Sequence, residues 1–148
     1  MQIKILFTTL LIIMSLGSTA QKLKYKDIYP YLKSKNYEKG IPQLKQYLAV
    51  GENSEEASPN LEMGIWLHER LKNIDDEAQL TEVGDSAVYF LKKAKNLIDE
   101  KEVKKREEYY LEFKRRDLRT GKFGVKVSDV HLDIENRIDD IRKRQEKG

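Results

Sequence analysis

The stretch Asp75–Glu100, DDEAQLTEVGDSAVYFLKKAKNLIDE, decides the fold. Its apolar residues Leu80, Val83, Ala87, Phe90, Leu91, Ala94, Leu97 and Ile98 recur at spacings of three and four, which places them along one stripe of an α-helix. Lys92, Lys93, Lys95 and Asn96 fall on the opposite side. Asp75 or Asp76 can cap the helix, where a carboxylate accepts free backbone amides and meets the positive end of the dipole. A stripe of that length has to be covered by other helices, so the segments on either side are read for matching apolar faces.

Upstream, Leu61 to Lys72 predicts a helix capped by Asn60. Leu61, Ile65 and Leu71 lie on one side of it, and Met63, Trp66, Leu67 and Ile74 reach around. A helix apolar on most of its circumference is sandwiched between neighbours, and Gly64 allows one of them to approach closely. Before it, Tyr37 to Val50 forms a second helix that stops near Gly51. The first segment, Gln21 to Lys35, carries Leu23, Ile28, Tyr31 and Leu32. There Pro30 either opens a short helix or kinks one that starts near Leu23.

Downstream, Lys101 to Arg119 predicts a surface helix with Val103, Tyr109, Tyr110, Phe113 and Leu118 on its apolar side. Phe123, Val125 and Val127 alternate with Gly124 and Lys126, as in a strand. With no partner strand in view, the reading is an extended loop that packs Phe123 on the core. Ser128 caps a last helix with Val130, Ile134, Ile138 and Ile141 as its stripe. The fold class is therefore all-α, about six helices in three antiparallel hairpins.

Several of these residues resemble tetratricopeptide (TPR) repeats, whose second helix opens on an aromatic followed by small, large and small residues at intervals of three, four and three. Tyr37, Gly40, Leu44 and Tyr47 follow that order, with Tyr47 larger than the family's residue and Pro42 a departure from it. Ala87, Leu91 and Ala94 match it better, and Gly64 stands where the first helix of such a repeat has a small residue. Leu44, Leu91 and Ile138 recur at intervals of 47 residues, as do Gly40, Ala87 and Ile134, longer than the usual repeat of about 34. The resemblance implies a TPR-like α-solenoid that binds proteins, similar to the N-terminal part of longer exported TPR-like proteins of Gram-negative bacteria.

The amino terminus carries its own signal. One lysine among the first four residues, the apolar run Ile5–Leu16 and the small residues Ser18-Thr19-Ala20 make the pattern of a cleavable secretory leader. The run falls short of the ~20 residues that span a bilayer. The domain organisation is thus a signal peptide over 1–20 and a TPR-like helical domain over 21–148. The chain has no cysteine, so no lipid-bearing thiol and no disulfide are expected. The mature protein is expected to be soluble, exported and periplasmic or associated with the cell envelope, with no transmembrane segment once the leader is removed. Removing the leader leaves 27 basic against 25 acidic side chains, a balance that disfavours a dedicated nucleic-acid binder.

Residues with catalytic or metal-binding chemistry are sparse. His68 and His131 are the two histidines, and neither stands in an H-E-x-x-H spacing, so both are read as structural or surface residues. Asp75-Asp76-Glu77 lacks the alternating oxygens and central glycine of a calcium loop, and no G-x-S-x-G elbow marks a nucleophile. Gly121-Lys122-Phe123-Gly124 has the outline of a phosphate clamp and is read as a turn. No enzyme, cofactor or metal site is expected. The functional candidate is an interaction surface formed by Trp66, Tyr109, Tyr110, Arg106, Arg115 and Arg116, residue types enriched at binding hot spots. The leading expectation is a non-catalytic scaffold for protein–protein interaction. The alternative is a carbohydrate or envelope-ligand binder that stacks its ligand on Tyr109 and Tyr110.

Overall fold

The computed structural model describes residues 21–147, so the expected leader lies outside the described residues. Six α-helices form the body: α1 (Tyr25–Lys33), α2 (Tyr37–Leu48), α3 (Ala57–Arg70), α4 (Glu77–Leu97), α5 (Glu100–Lys105) and α6 (Val127–Lys147). A two-stranded antiparallel ribbon, β1 (Arg115–Arg116) and β2 (Phe123–Gly124), stands between α5 and α6. The class is all-α. No helix among the described residues is long and apolar enough to cross a membrane.

The stripe of α4 is buried as its spacing predicts. Leu80, Ala87, Leu91, Ala94 and the following Ile98 are buried, and Val83, Phe90 and Leu97 pack beside them. Asp76 caps the helix, its Oδ2 accepting the Gln79 amide at 2.8 Å. One face of α4 meets α3 at Gly64, where an added Cβ would stand 2.7 Å from Leu91 Cγ. Two turns earlier on the same buried stripe, α4 meets α6 at Gly84, where a Cβ would fall 3.2 Å from Ile141 Cγ2 and 2.5 Å from Gln145 Nε2. The central helix thus packs its stripe against two neighbours, each at a glycine. Val130, Ile134, Ile138 and Ile141 of α6 are buried, the four residues its pattern singles out.

Helix α3 is sandwiched, with ten of its fourteen residues buried, Ser58, Asn60 and Glu62 among them. It begins four residues earlier than the predicted Leu61. Asn60 therefore lies inside the helix, and its side-chain amide donates to the carbonyls of Glu56 (2.7 Å) and Ser54 (2.9 Å) instead of capping the amides. Ser128 is likewise the second residue of α6, not its cap.

Pro30 resolves as an interior residue of α1, which starts at Tyr25. It lies on the exposed side, so the carbonyl it leaves without a donor faces water. Helix α1 ends with Lys35 in the left-handed region (φ 58°), and the Asn36 amide reaches back to the Tyr31 carbonyl at 2.8 Å.

The helix expected over Lys101–Arg119 is the main correction. It ends at Lys105 and gives way to two 3-10 turns, Glu107–Tyr109 and Leu111–Phe113. Those turns send Tyr109 onto α1 while Tyr110 and Phe113 enter the core. Burial of both aromatics outweighs the helix preference of a Lys/Glu/Arg-rich segment, which is only a weak bias. Phe123 is corrected too. It is paired in the ribbon opposite Arg116 and is 67% exposed, not packed on the core. Hairpins α1/α2 and α3/α4 are present, but the first helix of the expected third hairpin is replaced by this excursion, and α6 packs directly on α4.

Candidate interaction surface

The predicted surface residues fall in four places. Arg106 and Tyr109 lie together beside the start of α1. Four tyrosines from three parts of the chain meet there: Tyr25 and Tyr29 of α1, Tyr47 of α2, and Tyr109. Tyr109 stands nearly edge-on to Tyr25 (centroids 5.0 Å apart, 71°) and Tyr29 (4.8 Å, 64°), and Tyr25 contacts Tyr47 at 5.7 Å. Such tilted pairs place ring edges against ring faces. The Tyr25 hydroxyl is 2.7 Å from Ser58 Oγ of α3, and the Tyr29 hydroxyl donates to the Tyr109 carbonyl at 3.2 Å.

Over Tyr25, Tyr47 and Tyr109 lies an open groove of about 550 Å³, walled by Lys22, Lys24, Lys26, Lys105 and Arg106 with Glu52, Glu56 and Glu108 among them. Glu56 is already engaged. Its Oε1 accepts the Tyr47 hydroxyl at 2.8 Å and its Oε2 accepts Arg106 Nη1 at 3.1 Å. The carboxylate thereby fixes the Arg106 side chain from across the groove. Burial and then the bond to Glu56 push the Tyr47 hydroxyl well above its ordinary pKa, so it stays a neutral donor.

Tyr110 is not part of this surface. It is fully buried, its hydroxyl donates to Glu102 Oε1 at 3.0 Å, and burial raises its pKa. A stacking platform formed by Tyr109 and Tyr110 together is therefore corrected: adjacent residues in these turns point to different environments, one half-buried and one in the core. Trp66 is half-buried on another part of the molecule, with Lys45 Nζ 5.3 Å and Arg70 Cζ 4.9 Å from its ring centroid. Its ring is thus attended by cations of the same chain. Arg115 and Arg116 sit in the ribbon, lining a separate cleft with Leu118 and Arg119.

Both histidines are engaged. Arg137 Nη1 donates to His68 Nδ1 at 3.2 Å, so the ring proton lies on Nε2, which donates to Asp140 Oδ2 at 2.7 Å. Arg144 reaches the same Asp140 oxygen at 2.8 Å, and Arg137 Nε reaches Asp133 at 2.7 Å, which ties α3 to α6. His131 Nε2 lies 2.9 Å from the Ile98 carbonyl. Among the described residues no three His, Asp or Glu side chains converge as a metal site.

Tyr25, Tyr29, Tyr47 and Glu56 are not among the surface residues expected from the sequence. A signal was present, since Tyr25 and Tyr29 are four apart and flanked by Lys22, Lys24 and Lys26. Their meeting with Tyr109, at least eighty residues on, has no local signature. Compared with protein-family models, with curated proteins and with solved structures, the chain finds no match.

Proposed function

We propose that this chain is an exported, non-catalytic helical scaffold, TPR-like in its hairpins α1/α2 and α3/α4, that binds a protein partner in the periplasm or cell envelope. The groove over Tyr25, Tyr47 and Tyr109 takes an acidic segment of that partner. The observation that carries the reading is the groove itself, where Lys22, Lys24, Lys26 and Lys105 gather around an arginine already oriented by Glu56. An acidic segment laid there meets a cationic wall and a partly exposed tyrosine, the combination of a charged rim and an aromatic anchor that interfaces use. The TPR-like reading is supported by the small residue Gly64 against Leu91 and by the buried Ala87, Leu91 and Ala94. Export is supported by the leader pattern in the first twenty residues.

The test is affinity capture of the tagged chain from its native envelope, followed by mass spectrometry, beside a variant carrying Lys24→Glu and Lys105→Glu. Both lysines are exposed, so helicity and melting temperature should be unchanged. The reading expects a partner bearing an acidic segment that the variant fails to retain. An identical set of captured proteins from both chains would count against the groove.

A further inference from the structure

The excursion that displaces the expected helix ends in a segment with a large excess of positive charge. Residues 114–126 contain Lys114, Arg115, Arg116, Arg119, Lys122 and Lys126 against a single acid, Asp117. The rest of the chain then holds 22 basic and 24 acidic residues, so the net positive charge of the protein resides in this ribbon. All six cations are exposed.

The lone acid is used up in building the turn. Asp117 Oδ1 accepts the amides of Arg119 (2.8 Å) and Thr120 (3.0 Å), and its Oδ2 accepts Lys126 Nζ at 2.7 Å. Its backbone closes the loop, with the Asp117 amide on the Lys122 carbonyl (2.8 Å) and the Gly121 amide on the Asp117 carbonyl (2.7 Å). Gly121 supplies the left-handed residue at φ 71°. Lys126 and the two amides hold the Asp117 carboxyl down at about 2, so these bonds persist through neutral pH. The turn is therefore preformed, and it carries Leu118, 97% exposed, at its tip and Phe123 on β2. Beside Leu118, a cleft of about 530 Å³ is lined by Arg115, Arg116, Arg119 and Lys126, with Asp117 and Asp129 also at its wall.

We infer that the ribbon is a docking element for an anionic phospholipid surface, with Leu118 and Phe123 entering the acyl boundary and the arginines holding headgroup phosphates. Charge complementarity selects the occupant, since each cation near an anionic leaflet adds to the attraction. The apolar residues select lipid over other anions. A projecting leucine needs a matching pocket on a protein, and it gains little from a phosphate backbone, whereas a bilayer closes around it. This inference is independent of the groove, which lies on other residues.

Co-sedimentation tests it, using the chain from Gln21 with vesicles of phosphatidylcholine alone or mixed with phosphatidylglycerol. Binding should require phosphatidylglycerol and weaken as salt rises. Leu118→Asp should lower vesicle affinity, and Arg119→Glu with Lys122→Glu should lower it by about tenfold or more, with circular dichroism and melting temperature unchanged. Equal sedimentation with both vesicle types, or undiminished binding by these variants, overturns the inference. So does tighter binding to duplex DNA that the charge reversals abolish and Leu118→Asp leaves intact.

Discussion

Helix α4 and the ribbon between α5 and α6 are opposite solutions within one chain. The helix is amphipathic, its one buried stripe held against α3 at Gly64 and against α6 at Gly84, and its central residues Ala87, Leu91 and Ala94 have no exposed surface. The ribbon buries little, pairs only two residues per strand, and holds its shape with hydrogen bonds to one aspartate. The contrast teaches where function can reside. A helix whose apolar stripe is covered by two neighbours has those side chains committed to stability, whereas the ribbon leaves cations and apolar groups available to something outside the chain.

Substitutions sharpen the contrast from the centre outward. Leu91→Ala removes a fully buried side chain that packs over Gly64, and should cost about 3 kcal/mol in urea unfolding. A cost below about 1 kcal/mol would mean that α3 and α4 are not held together there.

Glu62 gives a pH-dependent version. It is buried on α3, and desolvation, reinforced by the charge of Glu112 and opposed by Lys33 and Arg137, pushes its carboxyl up to about 8. With a folded value above the ordinary 4.5, the folded protein keeps a proton that the unfolded chain has released. Stability from this group therefore falls as pH rises across that window and levels off above about 8. Glu62→Gln should flatten the dependence and raise stability at high pH by about 2 kcal/mol, read from unfolding curves on either side of the window. Parallel pH profiles for the two proteins would contradict this.

A pair of identical changes compares the regions directly. Gly64→Ala forces a Cβ to 3.1 Å from the Leu91 backbone nitrogen and closer still to its side chain, and should destabilise by about 2 kcal/mol despite the better helix propensity of alanine. Gly124→Ala in β2 meets nothing within 4 Å and should change stability by less than about 0.5 kcal/mol. Similar costs at both sites would erase the distinction between the two regions.

The same division governs what could be read from the sequence. The stripes of α4 and α6, the sandwiching of α3 and the close approach at Gly64 follow from local periodicity and residue size, which neighbouring positions carry. The excursion does not, because Tyr109 turns toward α1 and Tyr110 toward the core for reasons set by Tyr25, Tyr29 and Glu102 in space. Phe123 misleads for a related reason. An alternating apolar pattern announces a strand but not its partner, which here is a pair of arginines with no apolar face. Of the six surface candidates, Arg106 and Tyr109 lie together in the groove, Arg115 and Arg116 in the ribbon, Trp66 apart from both, and Tyr110 in the core. Glu56, which completes the groove, carries no distinguishing local pattern, and the run of Lys22, Lys24 and Lys26 around Tyr25 gives no sign of Tyr109.

The most direct test places a photo-crosslinking residue, one position at a time, at Lys105 in the groove, Leu118 at the ribbon tip and Tyr89 on the exposed side of α4, in the native envelope. The account predicts a protein adduct from position 105, a phospholipid adduct from 118, and neither from 89. Adducts from 89 with none from 105 or 118 would contradict it, and would place function on the helix assigned here to packing alone.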